Sequence, residues 1–543
     1  MPLTTSFYPA DGSGVVLDST VGSILRDAAE EVPDQLAIIA YGHSIDDRRT
    51  WTFSELLQKA ERTARALLSH FEPGDHVAVW ANNVPEWVFL EMGAGLAKIV
   101  LVTVNPGYKP RELDYVLRQS KAAGLFHVRE FRGNKMAETV AKVTPDIPEL
   151  KKVFEMESWD EFVDSADDSI ELPEVAPDDA VQIQYTSGTT GFPKGALLHH
   201  RGLTNNGRLA AERWQIRAGD IAAHSMPFFH TAGCGLATLG FISRQATHLF
   251  PAVFEPALMI EIIEREKANF FLGVPTMLIS MMSHPEMEER DVSSVRVIGS
   301  GGALVPPEVV RAIESRFGAE FGIVYGQTET SPVITQVPLD ASLKDKSETI
   351  GPPLPKTGVK IVDPATREIV PVGQVGELCT RGYLVMHEYF DNEEATASTI
   401  DPDGWLSTGD LATMDERGYC RITGRIKEMV IRGGENLFPA EIETVLHEHP
   451  AIIEAAVVGV PDARMGEELA AFLRTKKDWK PDIHDLRAHV RESLAAQKTP
   501  LYWIFVEEFP LTGSGKIQKF VLRERWEEGV YTPYDWSDES GEK

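Results

Sequence analysis

Along residues 52–128 the apolar positions switch between two periods. After Thr52, the residues Leu56, Ala60, Ala64 and Leu67 recur three or four apart, which lays them on one face of a helix. Thr52 and Glu55 have the spacing of a capping box at its start. "HVAVW" (76–80) reads as a strand, Pro85 opens a helix running toward Lys98, and "IVLVTV" (99–104) is a buried strand closed by the Asn-Pro-Gly turn at 105–107. A helix after Pro110 and the strand "GLFHV" (124–128) complete β-α-β-α-β, the mark of a parallel sheet. The alternation resumes after Asp178, with strands predicted at 181–185, 221–225, 269–273, 295–298 and 321–325 and helices between them. Two doubly wound layers follow from this pattern. From about Gly351 the texture changes: "GVKIVD", "VGELCTRG" and "GYCRITGR" are short strands with Gly-rich turns, which predicts antiparallel β or a small barrel. After Arg425 helix and strand alternate again, as a separate α+β domain.

Length and charge narrow the partners. At 543 residues, two to four compact units are expected. The net charge of −29 argues against nucleic acid and against an anionic membrane surface, while leaving room for local basic pockets that take small anions. The three cysteines, Cys234, Cys379 and Cys420, are odd in number and widely spaced, which suits reduced, packed thiols. The most apolar window, Phe89 to Val104, still contains Glu91 and Lys98, so no membrane span is expected. "MPLTTSFYPADG" lacks the pattern of a signal peptide, no peroxisomal tripeptide ends the chain, and "DWSDESGEK" reads as a frayed tail. The expected location is the cytoplasm.

Against this background one segment stands out. "QYTSGTTGFPKGALLHHRG" (184–202) concentrates Thr186, Ser187, Gly188, Thr189, Thr190 and Lys194 between a strand and a renewed apolar run. Glycines let backbone N–H groups turn toward an oxyanion, hydroxyls add donors and lysine adds charge. It is not a P-loop, because the glycines are too close and Gly195 follows Lys194. Other stretches carry weaker signals. In "IVYGQTETSP" (323–332), Tyr325 can stack on a purine, Gln327 and Thr328 can hydrogen-bond, and Glu329 can hold Mg²⁺ shared with phosphate. A plain polar turn is the alternative. In "DGWLSTGDLA" (403–412), Asp410 follows a Gly turn and can take ribose hydroxyls or cap a turn. "VRVIGSGGAL" (295–304) runs a strand into glycines, and "GRIKEMVIRGGENLFPAEIE" (424–443) offers Arg425, Gly433 and Gly434 or else a charged linker. "PLTGSGKIQK" (510–519) sets Lys516 on a Gly/Ser loop, where a lone lysine is usually only solvated.

Together and in this order, these stretches resemble the adenylate-forming superfamily of acyl-CoA synthetases, peptide-synthetase adenylation domains and beetle luciferases, from about residue 30 to 525. The resemblance implies an α/β fold: a large N-terminal domain (1–426) of two doubly wound β-α-β layers plus a distorted antiparallel β-barrel, then a small mobile α+β C-terminal domain (427–543). It implies ATP-phosphate binding by the 186–195 loop. An adenine pocket would be lined by Gly302, Ala303 and Tyr325, with Gly326 and Gln327 beside it. Thr328 would touch phosphate, Glu329 would bind Mg²⁺, and Asp410 and Arg425 would hold the ribose. Lys516 would be catalytic, Lys427 the hinge, and Gly433 and Gly434 would line the channel for CoA. The implied chemistry joins a carboxylate to AMP, with pyrophosphate leaving, and then passes the acyl group to CoA.

The wall of the acid pocket is expected in "HSMPFFHTAGCGLATLG" (224–240), with Phe229, Ala232, Gly233 and, from another segment, Gly301 around it. Amino-acid-activating members carry an Asp shortly after an aromatic here; this chain has Phe229-His230, so an α-amino group would be buried unpaired. Ala232, Gly233, Gly235 and Ala237 are small and leave room for an alkyl chain. His230 is a gate or a participant in the thioester step, or else a packing histidine. The style of the sequence from Tyr325 to Glu443 is most similar to medium- and long-chain fatty acyl-CoA synthetases. The alternatives are an aryl, cinnamate-like or steroid side-chain acid, and, more remotely, a luciferase-like oxygenase. The partners expected are the acid, ATP and CoA, with a homodimer left open.

Overall fold

The computed structural model describes residues 2–10, 14–186, 193–302, 305, 307–433, 435–462, 464–476, 479, 482–511 and 517–534. The expected frayed tail, "DWSDESGEK", lies outside them. The chain divides into two compact units, one of Met1–Lys360, Cys379–Thr408 and Met414–Arg421, the other of Ile361–Leu378, Gly409–Thr413 and Ile422–Lys543.

The helix predicted after Thr52 forms over Phe53–Leu68, and its capping box closes: Glu55 N–H donates to Thr52 Oγ1 (3.2 Å) and Thr52 N–H to Glu55 Oε2 (2.8 Å). The next helix, Pro85–Ala97, is buried on almost every side and ends at Lys98 with a left-handed φ of 58°. Around these helices runs a seven-stranded sheet in the order Glu388–Tyr389, Lys194–His199, Ala180–Thr186, Val100–Val104, His76–Trp80, Gly124–His127, Lys152–Glu155. Its five strands from Ala180–Thr186 to Lys152–Glu155 pair in parallel. Its central strands, His76–Trp80, Val100–Val104 and Gly124–His127, are buried along almost their whole length, which explains why they read as apolar runs.

An eight-stranded sheet follows the order Val333–Gln336, Glu320–Gly326, Val297–Gly301, Phe270–Leu272, Ile221–His224, Thr247–Pro251, Leu36–Tyr41, Arg48–Thr52. Both sheets are mixed. The first ends in antiparallel pairs made by Lys194–His199 and Glu388–Tyr389, and the second has an antiparallel strand at each edge. Two details depart from the sequence pattern. The strand expected at 295–298 lies at Val297–Gly301, because parallel pairing to Glu320–Gly326 carries it on into its glycines. The hairpin of Leu36–Tyr41 and Arg48–Thr52 is not assigned from the pattern at all.

Short strands Thr357–Val362, Gly376–Gly382, Leu406–Met414 and Cys420–Arg425 form, with Phe7–Tyr8, a five-stranded sheet. In the second unit, Glu435–Leu437, Val430–Arg432, Gly466–Thr475 and Ile452–Asp462 make an antiparallel sheet, and Tyr502–Phe505 joins Gly466–Thr475 in parallel. Ala455 and Val457 enter one apolar cluster, Ala456 and Val458 another, as a period of two requires when both faces are covered. All three cysteines are buried and none is in a disulfide, as the sequence predicts. Among the described residues no helix is long and apolar enough to cross a membrane.

Candidate active site

In the first unit the strands Ala180–Thr186 and Lys194–His199, which flank the segment rich in Ser, Thr and Gly, pair antiparallel. Thr186 pairs with Lys194 and Tyr185 with Gly195, and the Thr186 hydroxyl donates to the Lys194 carbonyl (3.4 Å). Ser187, Gly188, Thr189 and Thr190 lie outside the described residues. The base of the hairpin is tightly built: a Cβ on Gly195 would come within 2.7 Å of Ile183 Cγ2. Lys194 begins the returning strand, and its Nζ sits 4.6 Å from the centroid of the Tyr389 ring.

The strand Glu320–Gly326 delivers the second group. A Cβ on Gly326 would meet the Pro332 carbonyl oxygen at 1.9 Å, so only glycine fits where the register shifts. A single turn, Thr328–Thr330, follows. The Thr330 hydroxyl donates to the carbonyls of Gln327 (2.8 Å) and Pro332 (3.0 Å), and the Ser331 hydroxyl donates to that of Leu384 (2.8 Å). Thr328 and Glu329 are buried in this turn, while Tyr325 and Gln327 are partly exposed. Glu329 Oε1 accepts from the Tyr389 hydroxyl (2.7 Å), and the Glu329 carbonyl accepts from Met386 N–H (2.9 Å). The loose polar turn that the sequence left open is therefore a fastened one with a buried carboxylate. Gly301 pairs with Val324, which brings the end of Val297–Gly301 beside Tyr325. Gly302 has φ +89°, and Ala303 lies outside the described residues.

The expected acid wall leaves the strand Ile221–His224 through a turn held by Asn83, whose side chain donates to the Met226 carbonyl (3.0 Å) and accepts from Phe228 N–H (2.9 Å). His230 Nδ1 accepts from Ala232 N–H (3.1 Å), which puts the proton of the neutral ring on Nε2. A π-helical stretch, Ala232–Leu239, follows. The small residues at 233, 235 and 237 have packing reasons of their own. A Cβ on Gly233 would come within 2.1 Å of the Pro227 carbonyl oxygen and one on Gly235 within 3.0 Å of Leu203, and Ala237 is fully buried. Phe229, His230 and Ala232 stay partly exposed.

Behind this wall runs a buried polar chain that the motifs did not reveal. Gln182 Nε2 donates to Glu91 Oε1 (2.7 Å), and Gln184 Nε2 donates to Gln182 Oε1 (2.7 Å) and to Cys234 Sγ (2.9 Å). Burial pushes the Glu91 carboxyl well above its ordinary range, and the Gln182 bond opposes this only in part, so the group is held neutral. The one sequence signal was a charge inside an apolar window. Tyr389 was missed too, since an aromatic in "HEYFDN" carries no local chemistry.

In the second unit, Asp410 and Arg425 come together: Arg425 Nε donates to Asp410 Oδ1 (2.9 Å). Asp410 is buried within the strand Leu406–Met414, directly after Gly409. Gly409 does take a left-handed φ of 71°, and its N–H donates to Glu377 Oε1 (3.1 Å). Lys427 is exposed in the single turn Ile426–Glu428. Gly433, with φ +57°, opens the two-residue loop of the hairpin Val430–Arg432/Glu435–Leu437, which by itself calls for glycine. Gly434 and Lys516 lie outside the described residues. Sequence reasoning also missed Lys519, whose buried ammonium meets Glu428 (2.7 Å) and Glu443 (2.9 Å).

The donors fit magnesium of one kind. Among the described residues no group of three His, Cys, Asp or Glu could cage a metal ion. A single buried carboxylate, Glu329, beside the Thr328 hydroxyl suits a cation that takes its remaining oxygens from phosphate and water.

Mixed α/β sheets bring Glu329 and Lys194 to one tyrosine, and the family match makes the chain an adenylate-forming enzyme. The chain belongs to the AMP-binding enzyme family, whose model matches residues 25–390, with the family's C-terminal domain matched over 441–516. It is 40% identical over 539 residues to a putative acyl-CoA synthetase, YngI, of Bacillus subtilis (strain 168), covering 94% of this chain and 97% of that protein. It is 37% identical to the mitochondrial medium-chain acyl-CoA ligase ACSF2 of Danio rerio, covering 97% of this chain and 91% of that one. Among solved structures, the anthranilate CoA ligase AuaEII with anthranoyl-AMP is similar with a TM-score of 0.84 at 25% identity, covering 94% and 98% of the two chains. The protein is an AMP-forming acid–CoA ligase, with ATP and CoA implied by its family.

Proposed function

We propose that this ligase activates a medium- to long-chain fatty acid as its acyl-adenylate and transfers the acyl group to CoA. The observation that carries the choice of acid is the wall from His224 to Gly240, which holds no Asp, Glu, Lys or Arg. A second charge on the substrate would find no partner there. Similarity to relatives named as medium-chain ligases supports the medium end of the range.

The roles we assign follow the residues. The 186–195 loop, with Lys194, holds the ATP phosphates, and Thr328 touches them. Gly302, Ala303, Tyr325, Gly326 and Gln327 take the adenine side, and Asp410 with Arg425 the ribose. Phe229, His230, Ala232, Gly233 and Gly301 border the acid. A carboxylate oxygen attacks the α-phosphorus and pyrophosphate leaves. Lys516 then stabilises the charge gathered on phosphorus and carboxylate. Mg²⁺, held through Glu329, would neutralise charge on the phosphate oxygens. In the second step the CoA sulfur attacks the acyl carbon and AMP leaves. Gly433 and Gly434 border the thiol's path. Lys427 is the hinge between domains 1–426 and 427–543, which take different orientations in the two steps. Three buried cysteines outside any disulfide suit a reducing compartment, and we infer the cytoplasm.

The neighbour crystallised with anthranoyl-AMP favours one second reading, an aryl acid. The test is pyrophosphate release with ATP and Mg²⁺ across saturated acids from acetate to palmitate, with benzoate, cinnamate and several amino acids, with and without CoA. A maximum among mid-length or longer alkanoates, with CoA-dependent AMP and thioester, is the expected result. Turnover with aryl acids alone would replace the fatty-acid reading.

A further inference from the structure

Residues 384–390 form a strap laid along the strand Lys194–His199. The His387 N–H donates to the Leu197 carbonyl (2.9 Å) and the Phe390 N–H to that of Gly195 (2.8 Å), and Tyr389 pairs with Ala196. The same strap is sewn to the Thr328–Thr330 turn through Met386 N–H and the Leu384 carbonyl. Tyr389 therefore stands between the two elements to which phosphate and metal binding are assigned. Its N–H donates to Thr396 Oγ1 (2.9 Å) in the helix Glu393–Thr399, and the residue is only 6% exposed. From this fixed backbone the hydroxyl reaches Glu329 Oε1 at 2.7 Å while the ring faces the Lys194 ammonium at 4.6 Å.

We propose that Tyr389 is a positioning residue for the metal and phosphate site, its hydroxyl aiming the Glu329 carboxylate and its ring holding Lys194. The inference rests on the roles given above to Glu329 and Lys194. A carboxylate that helps hold Mg²⁺ must present an oxygen in a narrow range of directions, because that ion tolerates little distortion. A donor on the other oxygen fixes the plane of the group, as outer hydrogen bonds do for metal ligands generally. The ring does a separate task. It offers a negative face to an ammonium that would otherwise swing on a four-carbon stem.

The two tasks come apart in two variants. Tyr389→Phe removes the hydroxyl and keeps the ring, while Tyr389→Leu removes both. ATP binding is measured by calorimetry without acid, so that nothing turns over, in chelator and across a magnesium series. Pyrophosphate release is then followed over the same series. In Tyr389→Phe the magnesium needed for half its effect on ATP binding is expected to rise about tenfold, at the low end of what lost outer hydrogen bonds cost a metal site. Affinity for ATP in chelator should stay within about twofold of wild type, because the ring and Lys194 remain. Tyr389→Leu should lose several-fold in chelator as well. Binding stoichiometry counts folded molecules, so a partly folded variant still reports its affinity. Glu329→Gln separates the two layers of the argument. A shifted magnesium dependence in Glu329→Gln beside a wild-type one in Tyr389→Phe overturns the proposal alone. Wild-type dependence in both overturns the reading of Glu329 and the proposal with it.

Discussion

Glu91 and Lys516 show how much a single side chain carries here. Glu91 lies 1% exposed in an apolar helix, and one of its oxygens has no hydrogen-bond partner among the described residues. Its proton is kept in the fold and lost in the unfolded chain once the pH passes the ordinary carboxyl range. The stability it lends is therefore full in acid and falls as the pH rises, by about 1.4 kcal/mol for each unit until its folded value is reached. Glu91→Gln keeps an oxygen for Gln182 and cannot ionise. It should melt above wild type at pH 8, and the two curves should converge toward pH 4; a variant that melts lower at pH 8 would mean the carboxyl is charged in the fold. Lys516 makes the opposite case, a residue assigned from sequence alone. Lys516→Ala should lower pyrophosphate release by on the order of a hundredfold or more. Thioester formation from supplied acyl-adenylate should survive. Equal loss in both assays would show that the lysine does not act on the first step in particular.

At the scale of elements, the acid wall is set by how closely two helical segments approach. A Cβ on Gly207, in the helix His200–Arg213, would meet the Gly235 carbonyl at 2.7 Å and Gly240 N at 2.8 Å. These are backbone atoms, so relief requires the segments to part. Gly207→Ala should cost about 1–3 kcal/mol of stability, seen as a lower melting temperature. It should also raise the KM for the acid while leaving that for ATP near wild type, because the displaced stretch Ala232–Leu239 is proposed to border the acid and not ATP; equal change in both KM values would argue against that assignment. The same region marks the limit of what the sequence discloses. The central strands were legible because burial on both faces writes them as apolar runs, and the helix Phe53–Leu68 because its cap and its face agree. The glycines of the wall were legible as small but not as packed: Gly235 and Gly240 close on Leu203 and Gly207, more than two dozen residues away in the chain, and Gly233 closes on the Pro227 carbonyl through a turn that no motif announces. Tyr389 was illegible for a related reason: its hydroxyl serves Glu329 and its ring serves Lys194, and neither is near it in sequence. Gly326 lay inside a recognised motif, but its need for glycine comes from the Pro332 carbonyl behind it.

For the whole molecule, the histidines decide how it meets acid. His199, His200, His224 and His248 are all buried in the first unit. Burial lowers His199 to about 4 and His200 and His224 to about 3, and it holds His248 well below the ordinary value. Geometry agrees with this. The Nδ1 of His199, His200 and His224 accepts a backbone N–H, from Gly202, Val21 and Met226 in turn, so a proton there would break a bond as well as bury a charge. His224 then donates from Nε2 to His248 Nε2 (2.5 Å). In the unfolded chain each ring takes its proton near pH 6.5, while in the fold it waits until pH 3 to 4. Between those limits the unfolded state binds more protons, so stability falls as the pH falls, at about 1.4 kcal/mol per unit for each ring. Three or four such rings acting together would remove several kcal/mol between pH 7 and pH 5, a large part of an ordinary protein's stability. The melting temperature should therefore drop steeply below pH 6.5, well above the range in which carboxylates titrate. In NMR spectra of histidine-labelled protein, these rings should remain neutral at pH 5.5 while exposed ones charge. If the buried rings titrated near pH 6.5 with the fold intact, the acid sensitivity would have to come from elsewhere.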